Sequence, residues 1–227
     1  MRCSSHYISR MPRKARLIAP GVAHHITQRG INRQLVFFTK QDRRVYLQLL
    51  KENSRQAGLS ILAYCLMSNH IHLVVIPEHE DSLALAMQRT HGRYAQYLNV
   101  RRKRSGHLWQ NRFFSCPLDQ HHLRTALRYV ERNPIRAGMV AVPEAYAWSS
   151  AAAHLSGSDT LHILNQEFWQ SAGTAAGWRE MIGDAEDEQM IHQLRKATYA
   201  GKPLGKVGIC NEFANQAANP TTTTHGV

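Results

Sequence analysis

Residues 61–77 read ILAYCLMSNHIHLVVIP. Two apolar runs, 61–67 and 70–76, are separated only by Ser68 and Asn69, which predicts an antiparallel hairpin, and Pro77 closes the second strand. In a strand, side chains two positions apart leave the same face, about 7 Å apart at the backbone. His70 and His72 therefore share one face, close enough for two imidazoles to converge on one ion. Ile71, Leu73 and Val75 point the other way, into a core that anchors the strand. A His-x-His pair also arises by chance in a chain with 14 histidines, so its meaning depends on what else the fold brings to that face.

Upstream, residues 21–28 (GVAHHITQ) read as a strand that ends at Arg29 and Gly30, where glycine permits a sharp backbone departure. Thr39 followed by Asp42 has the spacing of a capping box. Val45, Tyr46, Leu49, Leu50 and Asn53 then recur on one helical face before Gly58 stops the helix. Downstream of the hairpin, Leu83, Ala86, Met87, Thr90, Tyr94, Tyr97 and Leu98 mark an amphipathic helix. It runs into the basic cluster Arg101, Arg102, Lys103 and Arg104. A shorter segment, HLWQNRFFSCP, leads to a helix over 119–133 that Pro134 is expected to terminate. Strands and helices thus alternate in an α+β core.

In the last of these helices Leu123, Ala126, Leu127 and Val130 form the apolar stripe. Tyr129, Asn133 and His122 fall together within about 40° on its flank. Tyr129 and Asn133, four apart, are stacked neighbours, so an amide oxygen can complete a His, His, Asn metal set with a phenol beside it. Taken singly, Tyr129 is an amphipathic edge residue and Asn133 a helix-ending residue before proline; the His pair gives the combination its meaning. A divalent cation on a phosphodiester's non-bridging oxygen neutralises its charge and sets phosphorus up for in-line attack. The phenol is protonated at neutral pH and needs a nearby cation to favour its anion: the metal, Arg128, Arg132 or Arg136. Attack leaves a phosphotyrosine ester that a free DNA hydroxyl can reverse without ATP.

Lysine and arginine number 28 against 16 acids in 227 residues, a net charge of +12. That excess favours a polyanionic partner over a metabolite. Cys3, Cys65, Cys116 and Cys210 form no CxxC pair, so neither a zinc knuckle nor a disulfide framework is indicated, and a reducing cytoplasm fits. The start MRCSSHYISR lacks an apolar stretch of signal-peptide length and no run matches a membrane span, so no membrane partner is expected. Met11 is a candidate alternative start. Residues 1–18 read as a flexible basic arm, 19–154 as the main domain, and 155–227 as a mostly helical C-terminal extension, with a helix over 184–198 and a disordered end.

Seven segments carry a resemblance: HITQRGINRQLVFF, DRRVYLQLL, CLMSNHIHLVV, HGRYAQYLN, GHLWQNRF, YVERNPIRAGMV and YAWSSAAAH, in that order from about residue 21 to 154. The set resembles the HUH single-tyrosine transposases, most closely the REP-associated tyrosine transposase branch. The resemblance implies a ferredoxin-like antiparallel sheet with helices packed on it, Mg²⁺ or Mn²⁺ at His70 and His72, and Tyr129 forming a 5′-phosphotyrosine link. It also implies single-stranded hairpin DNA from repetitive extragenic palindromes as substrate. Asn133 stands where many relatives outside this branch place glutamine, and its shorter side chain reaches less far. The later text RKATYAGKPLG resembles a tail of some branch members, and its Arg195, Lys196, Lys202 and Lys206 are candidate phosphate contacts.

Candidate DNA contacts are spread along the chain. The arm supplies Arg13, Lys14 and Arg16, the first glycine turn Arg29 and Arg33, and the basic cluster residues 101–104. Trp109, Gln110, Asn111 and Arg112 mix stacking with hydrogen-bonding groups, Arg132 lies on the tyrosine helix and Arg136 follows it. The expected function is a metal-dependent single-strand DNA endonuclease and strand transferase, cytoplasmic and nucleoid-associated. A non-catalytic nucleic-acid-binding regulator on the same fold is the alternative. A small-substrate metal hydrolase is disfavoured by the lack of clear carboxylate ligands. Monomer and homodimer are both open, and with them whether Tyr129 serves its own chain or a partner.

Overall fold

The computed structural model describes residues 16–206. Arg13, Lys14, most of the basic arm and the expected disordered end lie outside the described residues. Four strands, β1 (His24–Arg29), β2 (Leu59–Leu66), β3 (His70–Pro77) and β4 (Phe114–Pro117), form one antiparallel sheet in the order β2-β3-β1-β4. Helix α1 (Lys40–Gln56) joins β1 to β2, and α2 (Ser82–Arg101) joins β3 to β4. This connectivity is the expected ferredoxin-like α+β fold.

The hairpin forms as the sequence predicts. Ser68 and Asn69 connect its strands, and Tyr64↔Leu73 and Cys65↔His72 are register partners. A register shift between Ile61 and Ala63 places Leu62 and Ala63 in the same core layer, while Ile61 and Tyr64 join the other. The capping box of α1 also forms: Asp42 N–H donates to Thr39 Oγ1 at 3.2 Å, and Thr39 N–H donates to Asp42 Oδ2 at 2.8 Å. Together these bonds satisfy two of the donors a helix start leaves open.

Both faces of the sheet are covered. Ile26, Ile71, Leu73 and Val75 pack under α1 and α2 with Tyr46, Leu50, Met87, Tyr94 and Leu98, all completely buried. On the other face Val74, Ala63 and Cys116 meet Leu127 and Val130 of α3 (Gln120–Arg136) and Ile191 and Leu194 of α7 (Glu188–Ala200). Between them run α4 (Ala151–Ser156), α5 (Gln166–Ser171) and α6 (Ala175–Gly183). The fully buried Glu131 of α3 accepts hydrogen bonds from Ser150 Oγ and His154 Nδ1, both at 2.5 Å, and from Trp178 Nε1 at 2.9 Å. One carboxylate thus ties α3 to α4 and α6, with its charge shared among three donors.

Two expected helix limits change. Proline does not end α3: Pro134 lies inside it, and the helix runs on to Arg136. The proline removes the one donor that would reach back to Val130, and only two further residues complete the helix. The last turn is held by Ala137 N–H donating to Asn133 O at 3.0 Å and Arg136 Nη2 donating to Tyr129 O at 2.6 Å. The helix expected from residue 184 begins at Glu188, because Asp187 caps it, accepting from the Gln189 and Met190 N–H groups.

Candidate active site

The histidine face of β3 is roofed by α3 and α7. A cavity of about 410 Å³ opens there, lined by His25, Thr27 and Arg29 of β1, His70 and His72 of β3, Tyr129, Asn133 and Arg136 of α3, and Arg195, Thr198 and Tyr199 of α7, among others. The His70 and His72 rings stand with centroids 5.0 Å apart, and the Tyr129 ring meets His72 edge-on at 5.3 Å. The phenol therefore stands beside the imidazole pair of its own chain.

Each imidazole is held by its Nδ1. His70 Nδ1 donates to Asn69 Oδ1 at 2.6 Å, which leaves Nε2 as a lone pair. His72 Nδ1 lies 3.1 Å from Nε2 of His25, a completely buried ring stacked on it at 5.3 Å. Burial, with Arg29 nearby, pushes His70 down to about 4. Burial and the neighbouring His70, His25, Arg136 and Arg29 hold His72 well below the ordinary histidine range. Neutral imidazoles oriented through Nδ1 are the state a metal ligand requires. Asn133 lines the same cavity, its Nδ2 donating to Tyr129 O at 3.1 Å. Among the described residues no group of three or more His, Cys, Asp or Glu side chains could hold a metal. A cation here would rest on two imidazoles and an amide, with coordination positions left for substrate oxygens and water. The donor set fits a divalent ion with open positions.

Tyr129 is 4% exposed and gripped by two cations. The Arg136 guanidinium lies over its ring at 4.3 Å, and Arg195 Nε donates to its hydroxyl at 3.2 Å. Of the three arginines the sequence offered as partners for the phenol, only Arg136 touches its ring. Arg128 lies 3.7 Å from Asp184, and Arg132 donates to Ile182 O at 2.7 Å. Arg195, read from sequence as a phosphate contact, is the residue at the phenol oxygen. Its only sequence signal is the basic tail motif. His25 and Thr198 likewise went unassigned, although the doubled histidine of GVAHHITQ marks one of them. His122, on the same helical azimuth as Tyr129, turns instead to Asp119, with Nδ1 and Oδ1 2.6 Å apart.

The remaining candidate contacts are dispersed. Arg29 and Arg136 line the cavity, and each keeps a buried Nε without a hydrogen-bond partner. Arg16 stacks on Phe113 at 3.7 Å and donates to its carbonyl. Arg33 sits in the turn after β1 with a positive φ of 59°. In the basic cluster, Arg101 donates to Tyr97 Oη at 2.9 Å, Arg102 covers Phe38 at 3.8 Å, and Arg104 donates to Asn99 Oδ1 at 3.0 Å, while Lys103 is exposed. Trp109, half-buried, packs on His91 at 4.6 Å beside the aromatic cluster under α2; Gln110, Asn111 and Arg112 are exposed.

A sheet of this connectivity, with a histidine pair facing a helix-borne tyrosine, is the architecture of a single-tyrosine transposase. The chain belongs to the IS200-like transposase family, whose model matches residues 20–133, half of the sequence. A Haemophilus influenzae protein whose name places it with the REP-associated tyrosine transposases is 26% identical over a 111-residue alignment, covering 44% of this chain and 63% of that protein. The chain thus spans less than two thirds of that curated relative. A solved REP-associated tyrosine transposase bound to a REP hairpin superposes with a TM-score of 0.56 at 18% identity, over 66% of this chain and 90% of that one. It shares the fold. No described helix is long and apolar enough to cross a membrane.

Proposed function

We propose that this chain is a metal-dependent single-strand DNA endonuclease and strand transferase acting on hairpin DNA of the repetitive extragenic palindrome type. The observation that carries it is the Tyr129 hydroxyl in one cavity with His70 and His72 of the same chain. His70 and His72, with Asn133, would hold Mg²⁺ or Mn²⁺, which when bound supplies charge neutralisation at the scissile phosphate. Arg29 and Arg136 line the same cavity, where their positive charge suits a phosphate.

Tyr129 Oη attacks phosphorus, the bond to the 3′ oxygen breaks, and a 5′-phosphotyrosine ester forms. The phenol proton leaves to solvent and the departing 3′ oxygen takes one up. Arg195 fixes Oη through its hydrogen bond and stabilises the charge that develops there as the proton leaves. In strand transfer a free 3′ hydroxyl attacks the same ester, and Tyr129 departs with Arg195 again opposite its oxygen. Exposed basic residues elsewhere on the surface, Lys103 and Arg112 among them, suit flanking DNA backbone by long-range attraction.

The test is denaturing-gel analysis of labelled hairpin DNA incubated with Mg²⁺, with and without chelator. A protease-sensitive shifted band that needs both metal and Tyr129 is the expected result. Salt-dependent hairpin binding with no such band, unchanged in His70→Ala and His72→Ala, would instead make the chain a DNA-binding regulator.

A further inference from the structure

Behind His72 a chain of hydrogen bonds leads out of the sheet to the C-terminal helix. Thr198 Oγ1 donates to Leu194 O at 2.7 Å. His25 Nδ1 lies 2.8 Å from the same Oγ1, and Cys116 Sγ lies 3.2 Å from it. A hydroxyl has one proton. With that proton on Leu194 O, Thr198 can only accept from His25, so His25 carries its proton on Nδ1. The Nε2 of His25 is then a lone pair, and it accepts from Nδ1–H of His72 at 3.1 Å. His72 is left with a bare Nε2.

The opposite direction is equally complete as a network and has the opposite consequence. If Thr198 donated to His25, the His25 proton would sit on Nε2, His72 would accept at Nδ1, and its Nε2 would carry a hydrogen. An imidazole in that state cannot ligate a cation. The choice between the two tautomers of His72 therefore falls to a hydroxyl two hydrogen bonds away, on a helix outside the matched family region of residues 20–133.

We propose that Thr198 and His25 are positioning residues that fix His72 in its ligating tautomer, so that α7 is part of the metal site although none of its residues is a ligand. This rests on the reading of His72 as a ligand. His70 is set separately by Asn69, so the relay bears on His72 alone. His25 and His72 are both buried, so the partners of their Nδ1 atoms are the ones the fold supplies.

The test reads nitrogen chemistry first and metal second. In ¹⁵N histidine spectra of the metal-free full chain at neutral pH, His72, assigned by its loss in His72→Gln, is expected to show Nδ1–H and an unprotonated Nε2. Thr198→Val is expected to bring in the second His72 tautomer and to weaken Mn²⁺ binding, followed by its electron paramagnetic resonance signal, about 10- to 100-fold, with Thr198→Ser restoring it. A wild-type His72 protonated on Nε2 overturns the relay, and so does a Thr198→Val protein that binds Mn²⁺ as the wild type does with unchanged nitrogen shifts. The wild-type spectrum decides the tautomer even if Thr198→Val folds poorly. If that spectrum is as expected and Mn²⁺ does not bind, the metal reading fails while the relay stands.

Discussion

Under α1 and α2, β3 presents Ile71, Leu73 and Val75, all completely buried in an apolar layer. Under α3 and α7 the same strand presents His70 and His72 to a cavity edged by arginines. The alternation of one strand supplies both. A well-packed reverse side fixes the backbone from which the imidazoles project, which is what a site needing sub-ångström placement requires. The difference between the faces also sorts residues of one type. Tyr94 and Tyr129 are both buried tyrosines, but Tyr94 Oη donates to Val36 O at 2.6 Å inside the core, whereas Tyr129 Oη faces the cavity and accepts from Arg195.

That pair gives the largest expected contrast. Tyr129→Phe is expected to lower covalent adduct formation by at least about 10⁴-fold, the scale of losing a nucleophile. Tyr94→Phe is expected to leave the adduct rate intact and to cost about 1–3 kcal/mol of stability by stranding Val36 O. Gel-resolved adduct kinetics and urea unfolding on both variants measure the two effects, and a matching activity loss in Tyr94→Phe would erase the distinction between the faces.

Next in size is the packing side itself. Leu73→Ala is expected to destabilise by about 2–5 kcal/mol through lost burial and a residual cavity, read as a shift in the urea midpoint. Arg195→Gln should spare stability and slow adduct formation about 10²-fold, comparable to removing one preorganised donor from a developing oxyanion. Hairpin affinity measured by gel shift should barely change; an affinity loss equal to the rate loss would make Arg195 a phosphate contact instead.

The smallest effect concerns acid. His91, on the apolar side and 3.0 Å from Tyr46 Oη, is pushed by burial from 6.5 down to about 3. Between those values the unfolded chain binds more protons than the folded one, so stability present above 6.5 is lost as pH falls toward 3. The limiting slope is about 1.4 kcal/mol per pH unit. His91→Gln is expected to flatten that acid limb in urea titrations from pH 7 to 4, without moving the alkaline side.

Much of this arrangement was legible because its signals are local. A two-residue gap between apolar runs fixed the hairpin, Thr39 and Asp42 announced α1, and the helical wheel put Tyr129 and Asn133 on a cavity-facing flank. A wheel gives azimuth and no height, which is why it grouped His122 with Tyr129 although seven residues separate them by about 10 Å along the axis. Pro134 misled because a rule about helix interiors was applied one turn from a helix end. The contributions of α7 had no local signature. Thr198 meets His25 across 173 positions and Arg195 meets Tyr129 across 66, and only the folded sheet brings those partners together. Composition also could not say that the half-buried Trp109 indole packs on His91.

The order in which these parts leave the ribosome follows from their places in the chain. His70, His72 and Tyr129 emerge well before Arg195 and Thr198, so a nascent or prematurely terminated product carries the imidazole pair and the phenol without the helix whose side chains contact Tyr129 and His25. On the proposed function, synthesis alone then delays the moment at which the chain becomes competent to cut.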